Sequence, residues 1–409
     1  MTQQQDGFYG LGIAPSLLEI LQRLHFVTPT PIQAQAIPVA IEGKDVVGIA
    51  QTGTGKTLAF GIPMMQRLAI MKKQGLVVAP TRELALQIEE VLRTIGQSIG
   101  LRTAVLIGGT SISPQIKALG RKPHIIIATP GRLIDHLQQK YLRLNNVGVV
   151  VLDEADHMLD MGFLPQIQKI FAALPKERQT MLFSATMPPE IMKLATAHMQ
   201  LPVRVEIAPA GTTVAGVKQE LFIVSPDQKL ALLQKILTTH TGSTLIFTRT
   251  KHGAKKVTRQ IRAFGFAAAE IHSNRSLGQR KEALAGFKSG QYRVLVATDI
   301  ASRGIDVVGI ELVLNYDLPS TSDDYVHRIG RTARAGAAGH AITFAQPGQQ
   351  NEIRSIERLI RKSLSVSKLP ELPVLPRTEF VDEPQYRPYR PQTQNFRNRG
   401  FQRRRPSRY

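Results

Sequence analysis

Val46-Val47-Gly48-Ile49-Ala50-Gln51-Thr52-Gly53-Thr54-Gly55-Lys56-Thr57 is the stretch on which the reading of this chain turns. Its four apolar residues read as a strand buried on both faces, and the Gly-rich turn that follows runs into a helix opened by Lys-Thr. In that context Gly53 and Gly55 let backbone N–H groups converge on phosphate oxygens, with Gln51, Thr52 and Thr54 completing the turn. Lys56 reaches the β and γ phosphates, and the Thr57 hydroxyl is placed to ligand Mg²⁺. Only Ala50, where a first Gly is usual, departs from the phosphate-loop pattern. No second Gly-Lys-Ser/Thr occurs, so one part of the chain binds nucleotide and the rest does something else.

Outward from this loop, short β-branched runs alternate with helix-like segments. Leu76–Val78, Ile125–Ile127, Val149–Leu152, Leu245–Phe247, Val294–Val296 and Leu312–Leu314 each read as a doubly buried strand of a parallel sheet with crossover helices between. The class is α/β, doubly wound. The apolar runs pause near 205–217, where Ala208-Pro209-Ala210-Gly211-Thr212-Thr213 reads as a linker. Domains are therefore expected at 1–207 and 217–368, joined by 208–216. The segments Ile125–Arg132 and Leu295–Arg303 echo each other, an apolar strand running into Ala-Thr with an Arg soon after, which suggests one sheet domain duplicated.

The 409 residues carry 52 Lys and Arg against 31 Asp and Glu, a formal charge of +21, and this points to a polyanionic partner. Hydrophobic residues make up 43%, enough to bury real cores. The absence of Cys excludes disulfides, thiolate catalysis and Cys-ligated metal. No secretory leader or membrane span is read, so a cytoplasmic protein without membrane attachment is expected. Residues 369–409 are rich in Pro, then in Arg with Gln and Asn, and are expected to be disordered. Their aromatics Tyr386, Tyr389, Phe396, Phe401 and Tyr409 could stack on bases while the arginines pair phosphates.

A phosphate loop needs an acidic partner at a neighbouring strand end, and Val149-Val150-Val151-Leu152-Asp153-Glu154-Ala155-Asp156 supplies it. Asp153 would hold Mg²⁺ and Glu154 would orient and deprotonate the attacking water. With Asp153-Glu154-Ala155-Asp156, the loop before it and Ser184-Ala185-Thr186 after it, the chain resembles the DEAD-box family of ATP-dependent RNA helicases over about residues 8–345. Residues 294–301 and the short basic extension bring it nearest to the bacterial RhlE-like subgroup.

The resemblance implies two tandem RecA-like domains, ATP and Mg²⁺ as cofactors, and RNA held by its backbone. It assigns adenine reading to Phe26 and Gln33, with Phe8 as an upstream aromatic, although His25 stands where Gly is usual. It implies RNA contacts at Arg82, Gly109, Thr129 and Arg132 in the first domain and at Thr250 and Thr298 in the second. Coupling of nucleotide to RNA falls to Asp156, Ser184, Thr186 and Arg328, and ribose contact to Asp306. Arg331 and Arg334 are implied to be arginine fingers. Arg328, Arg331 and Arg334 lie three residues apart, and three such cations repel unless an anion awaits them. Leu277 replaces the usual Gln before Arg280.

Two other classes fit part of this pattern, a DNA-directed translocase of the same architecture and a non-catalytic RNA-binding scaffold. Ribosome assembly, RNA decay and cold-associated RNA remodelling all suit an enzyme that grips backbone rather than base edges.

Overall fold

The first domain is built on β1 (Val46–Ile49), β2 (Gln74–Val78), β3 (Thr103–Leu106), β4 (Ile125–Ala128), β5 (Val147–Leu152), β6 (Gln179–Ser184) and β7 (Val203–Glu206). These form one sheet in the order β3-β4-β2-β5-β6-β1-β7, every pair parallel. The computed structural model describes residues 7–51, 53–207, 217–299, 307, 309–332 and 339–373. The expected linker 208–216, Thr52, Asp306, Arg334 and most of the expected tail, 374–409, lie outside the described residues. The chain through Pro373 belongs to one compact unit.

A second parallel sheet holds β8 (Val217–Ile223), β9 (Thr244–Phe247), β10 (Ala268–Ile271), β11 (Val294–Ala297), β12 (Leu312–Asn315), β13 (Gly339–Ala345) and β14 (Ser365–Val366). Its order is β10-β11-β9-β12-β13-β8-β14. Numbered from each domain's own first strand, the two orders are identical. The strands that echo each other in sequence, β4 and β11, hold the same place in their sheets, as duplication requires.

The β-branched runs are strands because both faces of each sheet are covered by helices, so alternate residues enter different cores. Val77, Ile125, Ile127, Val149 and Val151 join one cluster, whereas Leu76, Val78, Ile126, Val150 and Leu152 join the other. Some strands are less apolar than this rule suggests. β6 begins Gln179-Thr180 yet is buried throughout, because the Gln179 amide donates to Ala40 O and Lys44 O and the Thr180 N–H donates to Asp45. These bonds satisfy the Gln179 amide hydrogens and the Thr180 N–H, whereas Gln179 Oε1 and Thr180 Oγ1 find no hydrogen-bond partner among the described residues.

In a parallel sheet the strand C-termini lie on one rim, where helix N-termini and loops converge. The two domains meet through such residues. Arg280 Nη2 donates to Glu83 Oε2 at 2.8 Å, and Leu277 packs against a core cluster of the first domain. Leu372 packs on the second domain's core.

Candidate functional site

The phosphate loop leaves β1 and enters the helix Lys56–Met71. Gly53 and Gly55 have φ of 83° and 87°, the left-handed region in which glycine carries no Cβ penalty. Lys56 is buried and its Nζ donates to Ala50 O at 2.8 Å, while Thr54 Oγ1 donates to Gln51 O at 2.7 Å. Thr57, half-buried, is the second residue of the helix. The loop thus holds its own lysine folded over it.

Gln33 ties the neighbouring helix Pro31–Ile41 to this loop. Its Oε1 accepts from the Thr30 N–H at 2.9 Å, closing a capping box, and its Nε2 donates to Gly55 O at 3.0 Å. One amide hydrogen and one lone pair remain for an adenine edge. A Cβ at Gly55 would strike the Gln33 amide, so this glycine is needed twice over. Phe26 is 39% exposed beside this element, whereas Phe8 is buried core. His25 takes φ 60°, so the backbone that Gly would supply is retained by a residue with a side chain, at a cost of about 1–2 kcal/mol.

Asp153 ends β5, two strands from β1 with β6 between them. Its carboxyl is almost fully buried and pushed up to about 7, chiefly by burial; Lys56 and the Glu154 N–H pull it down, while Glu154 and Asp156 push it up. Glu154 is buried at φ 52°, a turn that sends the chain from strand to the helix Ala155–Asp160. Asp156 is the hub. Its Oδ2 accepts from Ala185 N at 3.0 Å, Thr186 N at 2.9 Å and Thr186 Oγ1 at 3.0 Å. Its N–H donates to Ser184 Oγ at 3.2 Å, and His327 Nε2 of the second domain lies 4.0 Å from Oδ2. Burial pushes this carboxyl up, but His327, Lys56 and the Thr186 donors outweigh it and hold it below the usual range.

On the far half of the same rim, Arg82, Gly109, Thr129 and Arg132 follow β2, β3 and β4. A Cβ at Gly109 would collide with the Arg82 guanidinium, which lies across the Gly108-Gly109 turn. Both Nη atoms of Arg132 donate to Thr110 O at 3.2 Å, and Thr129 precedes the helix Pro130–Gln138. Beneath this loop sit two residues that motif reading missed. Gln115 Nε2 lies within hydrogen-bonding reach of Ile107 O, Thr110 Oγ1 and Ser111 O, while its Oε1 meets His136 Nε2 at 3.3 Å.

In the second domain Thr250 caps the helix Lys251–Ala263 by accepting from the Gly253 N–H at 2.9 Å, and Thr298 follows β11. Arg328 is the correction to the expectation of an awaited anion, because the protein supplies that anion itself. It is 2% exposed, forks onto Asp299 at 2.5 and 2.8 Å, and donates from Nη1 to Asn315 Oδ1 and Asp317 O at 3.1 and 2.7 Å. Arg328 lies on the helix Ser322–Ile329, and Arg331 follows it in a turn and is buried.

The second sheet also explains why one phosphate loop suffices. β8 and β12 hold the places of β1 and β5, and there Lys229 Nζ donates to Asp317 Oδ1 at 2.9 Å and to Tyr316 O at 2.7 Å. A protein ion pair stands where the first domain keeps a lysine and an aspartate available.

The arrangement suits an oxyanion substrate with a cation shared between it and one or two carboxylates. The chain matches the DEAD/DEAH box helicase family over residues 30–194 and the helicase conserved C-terminal domain over 228–336. It is 42% identical over 368 residues to the DEAD-box ATP-dependent RNA helicase CshA of Bacillus subtilis, covering 89% of this chain and 74% of that one. It is 43% identical over 372 residues to the ATP-dependent rRNA helicase RRP3 of Debaryomyces hansenii, covering 90% and 78%. Among solved structures it superposes on S. cerevisiae Dbp5 bound to RNA and ADP BeF3 with a TM-score of 0.81 and 28% identity, covering 88% of this chain and 95% of that one. It superposes on Mss116p bound to ssRNA and AMP-PNP with a TM-score of 0.82 and 27% identity, covering 91% and 81%. The chain belongs to the DEAD-box family of ATP-dependent RNA helicases, enzymes whose ATPase is stimulated by RNA.

Proposed function

We propose that ATP lies on the loop Gln51–Thr57, with Gln33 and Phe26 at its adenine and Asp306 at its ribose, and that RNA crosses the rim through Arg82, Gly109, Thr129, Arg132, Thr250 and Thr298. Phe26, partly exposed, can stack on the ring. Mg²⁺ fits this donor set. Asp153 is a carboxylate stripped of water beside a second one, and with the Thr57 hydroxyl it offers the hard oxygen ligands that this ion takes. When bound, the ion neutralises charge on the phosphate oxygens.

Glu154 then orients the attacking water and accepts its proton, Lys56 leaves Ala50 O for the phosphates, and Arg331 with Arg334 offsets charge on the terminal phosphate. Such arginines contribute roughly 10³ to 10⁵ in rate. The observation that carries this reading is Asp156, held by Ser184-Ala185-Thr186 of its own domain and faced by His327 of the other. A hub shared in this way gives ATP and RNA a common interest in the closed arrangement, and their binding is coupled. Unwinding follows as local prying of a short duplex rather than long translocation.

The domains are proposed as 1–207 and 217–368, with 369–409 adding a basic RNA-binding tail. Placement in the RhlE-like subgroup rests on residues 294–301 and the basic extension alone. Among the described residues no helix is long and apolar enough to cross a membrane, and a cytoplasmic role in ribosome assembly or RNA decay is proposed. The test is ATPase stimulation by RNA and by DNA of equal length in the parent and in Lys56→Ala. Stimulation by RNA alone, lost in the variant, is expected. Equal stimulation by DNA would favour a DNA translocase, and an unaltered variant would favour a scaffold.

A further inference from the structure

The excess positive charge of this protein is not spread evenly. Residues 229–299 hold 13 Lys and Arg against 3 acids, a net +10 of the chain's +21. Two of those acids are already engaged, Glu270 with Arg275 and Asp299 with Arg328. The stretch 248–269 has six Lys and Arg and no Asp or Glu at all.

Most of that stretch is the helix Lys251–Ala263. Ala254, Val257, Thr258 and Ile261 turn one face into the core, which leaves Lys251, Lys255, Lys256, Arg259 and Arg262 exposed on the other. Lys251, Lys255 and Arg259 recur every four residues, so they stand one above another along about 12 Å of helix. Like charges at that spacing destabilise a helix by roughly 0.2–0.5 kcal/mol a pair, and Lys251 also opposes the positive end of the helix dipole. An ordinary solvated face intersperses both signs. Among the described residues Lys255 and Lys256 have no ion-pair partner. This stripe begins next to Thr250, at the C-terminal rim of the second sheet where the RNA contacts are proposed.

We infer that the outer face of the helix Lys251–Ala263 is a second RNA track, which takes the sugar-phosphate backbone of RNA flanking the segment held in the cleft. The inference rests on the RNA path under Proposed function. It adds that the footprint continues outward from Thr250 along Lys251, Lys255, Lys256 and Arg259, so longer RNAs bind more tightly and with steeper salt dependence than the shortest RNA that stimulates the ATPase. The contacts are to phosphate and carry no base preference.

The test uses the full chain and its Lys255→Gln/Lys256→Gln variant, with two RNAs: the shortest that stimulates the ATPase, and the same sequence extended by ten nucleotides at either end. Each phosphate contact on a single strand contributes about 0.7 to the slope of log affinity against log salt, so losing two lowers the slope on the extended RNA by about 1.4. Between 50 and 200 mM salt the variant would lose about sevenfold less affinity than the parent on that RNA. Binding to the short RNA, maximal ATPase rate and thermal melting should stay unchanged.

Equal slopes for parent and variant on the extended RNA would overturn the track. So would an equal loss on both RNAs, which would place the lysines in the cleft site, or a preference of this face for anionic vesicles or an acidic polypeptide over RNA. Arg82→Ala, measured on the short RNA, separates the two layers. If it binds that RNA like the parent, the rim reading fails. If it weakens binding while the lysine variant matches the parent on the extended RNA, only the track fails.

Discussion

Replacing Arg328 by Met should cost the second domain roughly 3–5 kcal/mol. Methionine keeps most of the volume over the Phe247 ring, which the guanidinium now covers at 5.0 Å, but removes every donor. Asp299 would lose two charge-assisted bonds, and Asn315 Oδ1 and Asp317 O would each lose one. Removing one partner of a buried pair costs about 3–5 kcal/mol, and Asp299, with 18% of its side chain exposed, recovers only a little water. Against a domain stability of about 5–15 kcal/mol this is a large fraction. At 2–4 °C per kcal/mol for a domain of this size, melting should fall by about 6–20 °C.

The assay is thermal and urea unfolding of the full chain, with hydrogen exchange of β9, β11 and β12 to localise the loss. Arg328→Met with Asp299→Asn should recover part of it, because the neutral amide no longer leaves a buried charge behind. A loss under about 1 kcal/mol would refute the argument. Unchanged stability with RNA-stimulated ATPase abolished would instead make Arg328 a coupling contact.

Three further outcomes follow from the same geometry. Gln115→Leu removes the amide beneath the Gly108–Ser111 loop, so the RNA concentration for half-maximal ATPase should rise about tenfold while the rate at saturation stays within twofold; the reverse pattern would deny it a positioning role. Burial lowers the pKa of His136, His198, His272 and His340, so between their folded values and 6.5 the unfolded chain binds more protons. Stability should therefore be full above pH 6.5 and decline as pH falls below it, less steeply in His136→Gln; melting that is flat from pH 7.5 to 5.5 would count against this. Deleting 369–409 should weaken RNA affinity and shallow its salt slope in filter binding while ATP affinity without RNA holds; an unchanged slope would remove the tail from the RNA site.

Much of this protein was legible in residues that are neighbours in the chain. Val46–Thr57 announced a strand, a turn and a phosphate-binding helix start because all three depend on local backbone and side-chain type. The seven β-branched runs marked half of the strands, since a strand buried on both faces must be apolar at successive positions. β6 and β10 escaped because Gln179, Thr180 and Glu270 are polar; the Gln179 amide is satisfied only by Ala40 O and Lys44 O, far along the chain, while Glu270 is paired by Arg275 close by.

What only the tertiary structure decided is where each charge is spent. Sequence placed Arg328 among three cations that repel one another, and the fold brings Asp299 to it across 29 residues. Lys229 and Asp317, 88 residues apart, pair at the place in the second sheet that the phosphate loop and Asp153 hold in the first. His25 keeps a glycine-like turn, which its side chain gives no reason to expect. Spacing along a chain reports chemistry on one element. Whether a buried polar group is already satisfied depends on which distant strand end folds beside it.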